Sequence, residues 1–165
     1  MAVCPLSLEP DPVLRGPAGK VSAFGPPIKR LVRNMLDTMY ANDGIGIAAP
    51  QIGQPVQVFI ANPSRRRGEE LVAINPQLTL GRSRTIGTEG CLSLPDIWGK
   101  VRRFSEVRMK AHDLSGKRYE VEAGGLMAVV LQHEFDHLQG TLFIDRLSWI
   151  EKHRLRRALR ILACE

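Results

Sequence analysis

Residues 126–140 read LMAVVLQHEFDHLQG, and this run constrains the chain more than any other. Its first six residues are apolar, which predicts a helix buried on nearly every side at its start, and Gly140 supplies a C-terminal stop. The same helix then carries His133, Glu134, Asp136 and His137, groups that are costly to bury without partners. The pattern His-Glu-x-x-His resolves the conflict. Residues four apart on a helix lie one above the other, so both imidazoles can reach one divalent ion. Glu134, offset by one residue, then stands beside the ion's open position, where it can take a proton from bound water. That is the minimum apparatus for hydrolysing an amide.

A catalytic site of this kind takes three protein ligands and keeps one position for water. No third histidine follows at metzincin spacing, because LQGTLFIDRL after His137 holds no ligand-like residue before Asp145. His112, His153, Cys91 and the acids remain as candidates. Local sequence favours Cys91, since EGCLSLP sets a thiol between a glycine that admits close backbone approach and a short strand-like run. Taken alone, the same cysteine is more often a small buried apolar residue than a ligand, by about two to one.

The rest of the chain predicts one α+β domain over residues 1–165. A Pro/Gly-rich stretch to Pro27 reads as an extended arm, and Ile28, Leu31, Val32, Met35, Leu36 and Met39 recur at helical spacing. GIGIAAPQIGQP is too glycine-rich for a helix interior, VQVFIA is strand-like, and the basic SRRRGEE reads as an exposed hairpin tip. LVAINPQLTL and RTIGTEGCLSLP predict further strands, and DLSG joins a β-hairpin made of VRMKAH and KRYEVEA. LSWIEKHRLRRALRIL sets Leu147, Ile150, Leu155, Ala158, Leu159 and Leu162 opposite Lys152, Arg156, Arg157 and Arg160, an amphipathic basic helix. The expectation is therefore antiparallel sheets around a buried central helix, closed by a C-terminal amphipathic helix.

A formal charge of +6 biases the partners toward anionic surfaces such as RNA. No apolar run nears the ~18 residues needed to span a bilayer, and MAVCPLSLEP lacks a secretion leader. Three cysteines, Cys4, Cys91 and Cys164, are too few for a disulfide framework and suit a reducing compartment. A cytoplasmic protein with no membrane partner is expected, or an organellar one (matrix or stroma) from which a targeting segment has been removed.

Three separated segments, GIGIAAPQ (Gly44 to Gln51), EGCLS (Glu89 to Ser93) and QHEFDH (Gln132 to His137), together resemble the three signature motifs of peptide deformylases. The start DPVLR and the later GTLFIDRL are also similar to family patterns, and Pro50 resembles the type I bacterial and organellar branch. The resemblance implies that Cys91, His133 and His137 hold one metal, Fe(II) by the family's habit with Zn, Ni or Co as alternatives. It further implies that Glu134 is the general base and acid, and that the Gln51 side-chain amide and the Leu92 N–H bind the formyl oxygen. Ile45, Gly46, Gly90, Leu126, Val129 and Val130 would bind the substrate, an N-formyl-methionyl nascent peptide whose formyl group leaves as formate. Glu89 and Gln132 sit where they could support a metal ligand, and Asp136 could pair with Arg102 or Arg103. Trp98 would shape the rim of the peptide groove, and the basic last helix resembles a segment that docks near the ribosomal exit tunnel. Two other readings stay open: an HExxH endopeptidase, and a basic ribosome- or RNA-binding module with a structural metal.

Overall fold

The computed structural model describes residues 2–156. Its main sheet is antiparallel and five-stranded, in the order β1 (Gly46–Ala48), β2 (Val58–Ala61), β3 (Leu71–Leu80), β6 (Glu106–His112), β7 (Arg118–Gly124). The strands β4 (Arg84–Cys91) and β5 (Leu94–Phe104) pair with each other as a separate antiparallel hairpin, to which Leu147 adds an isolated bridge at Val101. Helix α1 (Pro26–Ala41) starts with two prolines at its first turn, and α2 (Gly125–Leu138) is the helix that carries HExxH. The architecture is α+β, as the sequence predicts.

Strand β2 shows why the sheet is built this way. Its four residues are apolar and all buried, the pattern of a strand covered on both faces. Phe59 and Ala61 pack with Ala128 and Leu131 of α2. Val58 and Ile60 pack with Val32, Met35 and Met39 of α1. Each such side chain contributes about 1.5–3 kcal/mol through burial. Helix α2 is thereby pressed against β1 and β2, which fixes where its polar residues point.

The N-terminal arm crosses the molecule as predicted, with a short 3-10 turn at Pro12–Leu14. Its backbone is tied to the site region: the Ser7 N–H donates to the Gln51 carbonyl at 2.8 Å and the Glu9 N–H to the Ser93 carbonyl at 3.0 Å.

Three expectations need correction. The start of α2 is not buried on nearly every side, for Leu126 is 56% exposed and full burial begins at Ala128. The helix leaves β7 at the outer strand of the sheet, and the covering strands β1 and β2 are reached only a turn later. The last helix does not begin at Leu147, which is an extended residue buried against Leu94, Val101 and Phe143. It begins instead at Trp149, capped by the Ser148 side chain, and runs as α3 (Trp149–Arg154) with Ile150 exposed. Arg157 to Leu162 and Cys164 lie outside the described residues, so most of the predicted amphipathic face does too. Finally, β5 forms a long strand from Leu94 that the sequence reading did not separate from its neighbours.

Candidate metal centre and active site

Helix α2 and strand β4 supply the centre. His133 and His137, one turn apart, set their rings 5.1 Å centroid to centroid. The end of β4 brings Cys91 to them, its Sγ 3.2 Å from His137 Nε2. Ligand atoms of these three residues all lie within 4.8 Å of one another. The open question of the third ligand is thus resolved toward Cys91. His112 lies instead beside Phe24, and His153 is exposed on α3.

The donor set fits a divalent metal. The His133 Nδ1–H donates to Glu89 at 2.9 Å, which leaves Nε2 as its ligand atom. His137 Nδ1 and Glu134 Oε2 are buried with no hydrogen-bond partner among the described residues. Burial and the neighbouring His133 push the His137 pKa down, so this ring stays neutral, the form that ligates. His133 moves the other way: burial disfavours its charge, but hydrogen bonds to Cys91 and Glu89 draw it up. A bound cation would take the place of that proton.

Glu134 is the second half of the centre. Burial pushes its pKa up to about 7, with Glu89 adding to the rise while His133 opposes it. Its carboxylate lies against Gly46 of β1, in contact with the space a β-carbon there would occupy. Val130 Cγ1 is 3.0 Å from the same space, so Gly46, Val130 and Glu134 meet at one point. Ile45 packs in the same cluster as Val130. Val129 and Gly90 are half-buried nearby in sequence, and Leu126 stands exposed at the helix start.

Gln51 closes the site from the 3-10 turn Ala49–Ile52. Its Oε1 accepts the Ala48 N–H at 2.8 Å, so Nε2 is turned to Ser93 Oγ at 3.2 Å and to Cys91 Sγ at 3.4 Å. This places an amide donor beside the thiol. Leu92, whose N–H follows Cys91, starts the turn that leads to β5.

Behind the ligands runs a buried ionic chain. Arg103 of β5 donates to Glu89 at 2.7 and 2.9 Å and to Asp136 at 2.5 Å. Arg146 also reaches Asp136, at 2.8 Å. Although burial opposes its ionisation, Arg103 and His133 hold the Glu89 pKa at about 2. Of the two partners open to Asp136 the structure selects Arg103. Gln132 does not touch a metal ligand; it ties α2 to the Phe104 backbone of β5, at 3.0 and 2.8 Å. Sequence pattern singles out neither Ser93 nor Arg146, and it leaves Arg103 as one of two candidates. The signal for Arg103 was a charged residue in the inward phase of β5, after Ile97, Gly99 and Val101.

A polypeptide deformylase family model matches residues 3–153. The chain belongs to the polypeptide deformylase family. It is 43% identical over 157 residues to a peptide deformylase of Acinetobacter baumannii (strain SDF), spanning 94% of this chain and 89% of that one. It is 44% identical over 151 residues to the chloroplastic peptide deformylase 1B of Solanum lycopersicum, spanning 88% of this chain but 54% of that relative. The chain thus spans about half the length of the tomato protein. The crystal structure of Arabidopsis thaliana peptide deformylase 1B in complex with an inhibitor superposes with a TM-score of 0.91 at 38% identity, over 95% of this chain and 88% of that one. Deformylases are metalloenzymes, in keeping with the Cys/His/His group. Among the described residues, no helix is long and apolar enough to cross a membrane.

Proposed function

We propose that this deformylase removes the formyl group from the N-terminal formyl-methionine of newly made polypeptides and releases formate. One observation carries the reading: a buried Glu134 whose Oε2 has no hydrogen-bond partner among the described residues stands beside a three-ligand Cys91/His133/His137 group in a member of this family. Three ligands with a ready base suit catalysis, whereas a structural metal is closed by four.

Cys91 Sγ and the two histidine rings hold the metal, and Fe(II) is the assignment we make within a ligand set that also suits Zn, Ni and Co. When bound, the ion supplies Lewis-acid polarisation of the formyl oxygen and an acidified water. Glu134 takes the proton of the attacking water at its carboxylate and passes it to the departing amine nitrogen. Gln51 Nε2–H and the Leu92 N–H donate to the oxygen on which negative charge grows. The Ala48 N–H keeps Gln51 from rotating its oxygen into that place. Ile45, Gly46, Leu126, Val129 and Val130 flank the methionine side chain, and Gly90 lines the substrate beside Cys91.

We assign the whole of residues 1–165 to one catalytic domain, working in a bacterial cytoplasm or an organellar matrix or stroma. The basic C-terminal segment, with its Lys and Arg residues, is the part assigned to ribosome docking near the exit tunnel. Formate release from a short N-formyl-methionyl peptide, with protein prepared without oxygen and supplied with Fe(II), tests the reading. Cleavage of an internal bond in an unformylated peptide, without formate, would overturn it.

A further inference from the structure

The β4–β5 hairpin has two unlike faces. Its inner face, with Ile97, Gly99 and Val101, packs on Phe143 and Leu147. Among the described residues the outer face is open. Directly opposed residues in an antiparallel pair share a face, and the register opposes Gly90 to Trp98, Thr88 to Lys100, and Ile86 to Arg102. Trp98 is 61% exposed and Ile86 63%. The Trp98 ring lies flat on Gly90, where a β-carbon would stand 2.8 Å from it, so the glycine next to the metal ligand Cys91 is what seats the ring.

Charge on this face has one sign. Lys100, Arg102 and Arg84 are exposed, and among the described residues none of their side chains pairs with a carboxylate. Arg84 instead covers the Phe104 ring at 4.1 Å. Beyond Arg102 the face turns into a cavity of about 750 Å³ whose far wall includes Phe135 and Ile150. The two acids lining it are already engaged: Asp136 by Arg103 and Arg146, and Glu151 by Arg154 and the Lys100 N–H. The surface therefore runs from the metal centre through an aromatic platform and a row of free cations to an apolar-walled hollow.

We propose that this outer face is a second binding segment for the substrate polypeptide, seating an apolar or aromatic residue on Trp98 and acidic residues along Lys100, Arg102 and Arg84. The proposal rests on the deformylase reading, which brings a polypeptide to Cys91 in the first place. From Trp98 to Arg102 the strand covers about 13 Å, a distance spanned by roughly four extended residues. A nucleic-acid backbone would meet the same cations but would leave the apolar Ile86, Phe135 and Ile150 facing phosphates, whereas a polypeptide can offer acidic and apolar side chains to both.

The test compares three N-formyl-methionyl peptides at low ionic strength: a short one, a long neutral one, and a long one with acids placed roughly four to seven residues after the methionine. Both kcat/KM and, on unformylated labelled versions, Kd by fluorescence anisotropy are read. The acidic long peptide is expected to exceed the neutral one by about fivefold in both readouts, the scale of two or three exposed ion pairs. The ratio should shrink as salt is added and invert in Lys100→Glu/Arg102→Glu. A ratio near one, or one unchanged by the double substitution, overturns the proposal. So does a labelled RNA duplex that loses affinity for the double variant while the peptide ratio stays at one. Absence of formate from the short peptide would instead strike the deformylase reading, and the anisotropy ratio would still decide the role of the face.

Discussion

Glu134 rests its carboxylate on the backbone of Gly46, in contact with the space where any other residue would carry its β-carbon. The two come from different elements, α2 and β1, which β2 packing brings together. Gly46→Ala should therefore swing the carboxylate away while leaving Cys91, His133 and His137 in place. A loss in kcat of about a hundredfold is expected, the lower end of what a positioned acid–base contributes. Metal content measured on the same sample should be unchanged; a fall in bound metal would place the damage elsewhere.

Glu134→Gln keeps the shape and removes the base. Turnover should fall by roughly 10²- to 10⁴-fold while the metal stays bound. Retained activity would take the proton-transfer role from Glu134.

Cys91→Ser replaces a soft thiolate with a hydroxyl. Affinity for Fe(II), Zn or Co should drop and metal preference should shift toward harder ions, as read by competition with a chelator. Exposing the parent protein to air should also cost activity if Fe(II) is bound, since iron and thiolate both oxidise.

Glu89 gives the folded state an acid limit. Its pKa is about 2 against an ordinary 4.5. A depressed carboxylate adds stability that is fully present above its unfolded pKa and is lost as pH falls through the folded one. The loss should thus run from about pH 4.5 down to 2 and reach about 3 kcal/mol. Urea unfolding of metal-free protein across that window checks it, and Glu89→Gln should flatten the slope there.

Arg103 is buried between Glu89 and Asp136. Arg103→Met would leave two buried carboxylates short of their shared cation, Asp136 keeping only Arg146 and Glu89 only His133, at a cost of about 3 kcal/mol. Thermal unfolding of the single variant reads this. Adding Glu89→Gln should recover part of the loss, because one of the stranded charges is then gone; no recovery would mean that packing of the guanidinium, not its charge, matters.

The helices and most strands were legible because apolar residues recur at their periods: α1 through Val32, Met35 and Met39, β2 through an unbroken apolar run. The pair His133 and His137 was legible because four-residue spacing on a helix is itself geometry. Cys91 could be favoured but not chosen by spacing, since a ligand brought by a hairpin turn has no fixed separation from the helix. Strand β5 was obscured by Gly99 and Arg103, which occupy inward positions without looking apolar. Gly99 lies against Leu147, while Arg103 is tolerable inside only because Glu89 and Asp136, remote in sequence, converge on it. The exposed start of α2 had the opposite cause: Leu126 is apolar, yet the chain leaves the sheet before the covering strands are reached.

The ligands of the metal come from two pieces of structure that share no strand pairing, the β4–β5 hairpin and the helix packed on the five-stranded sheet. A bound ion is therefore a cross-link as well as a reagent. It would close the loop between Cys91 and His133 and add to the ties that Arg103–Asp136, Glu89–His133 and Gln132–Phe104 already make between hairpin and helix. Amide hydrogen exchange in β4 and β5 should then slow on metal loading far more than exchange in β3, β6 and β7, and the hairpin would be the part of the molecule that senses whether the enzyme is charged with its ion.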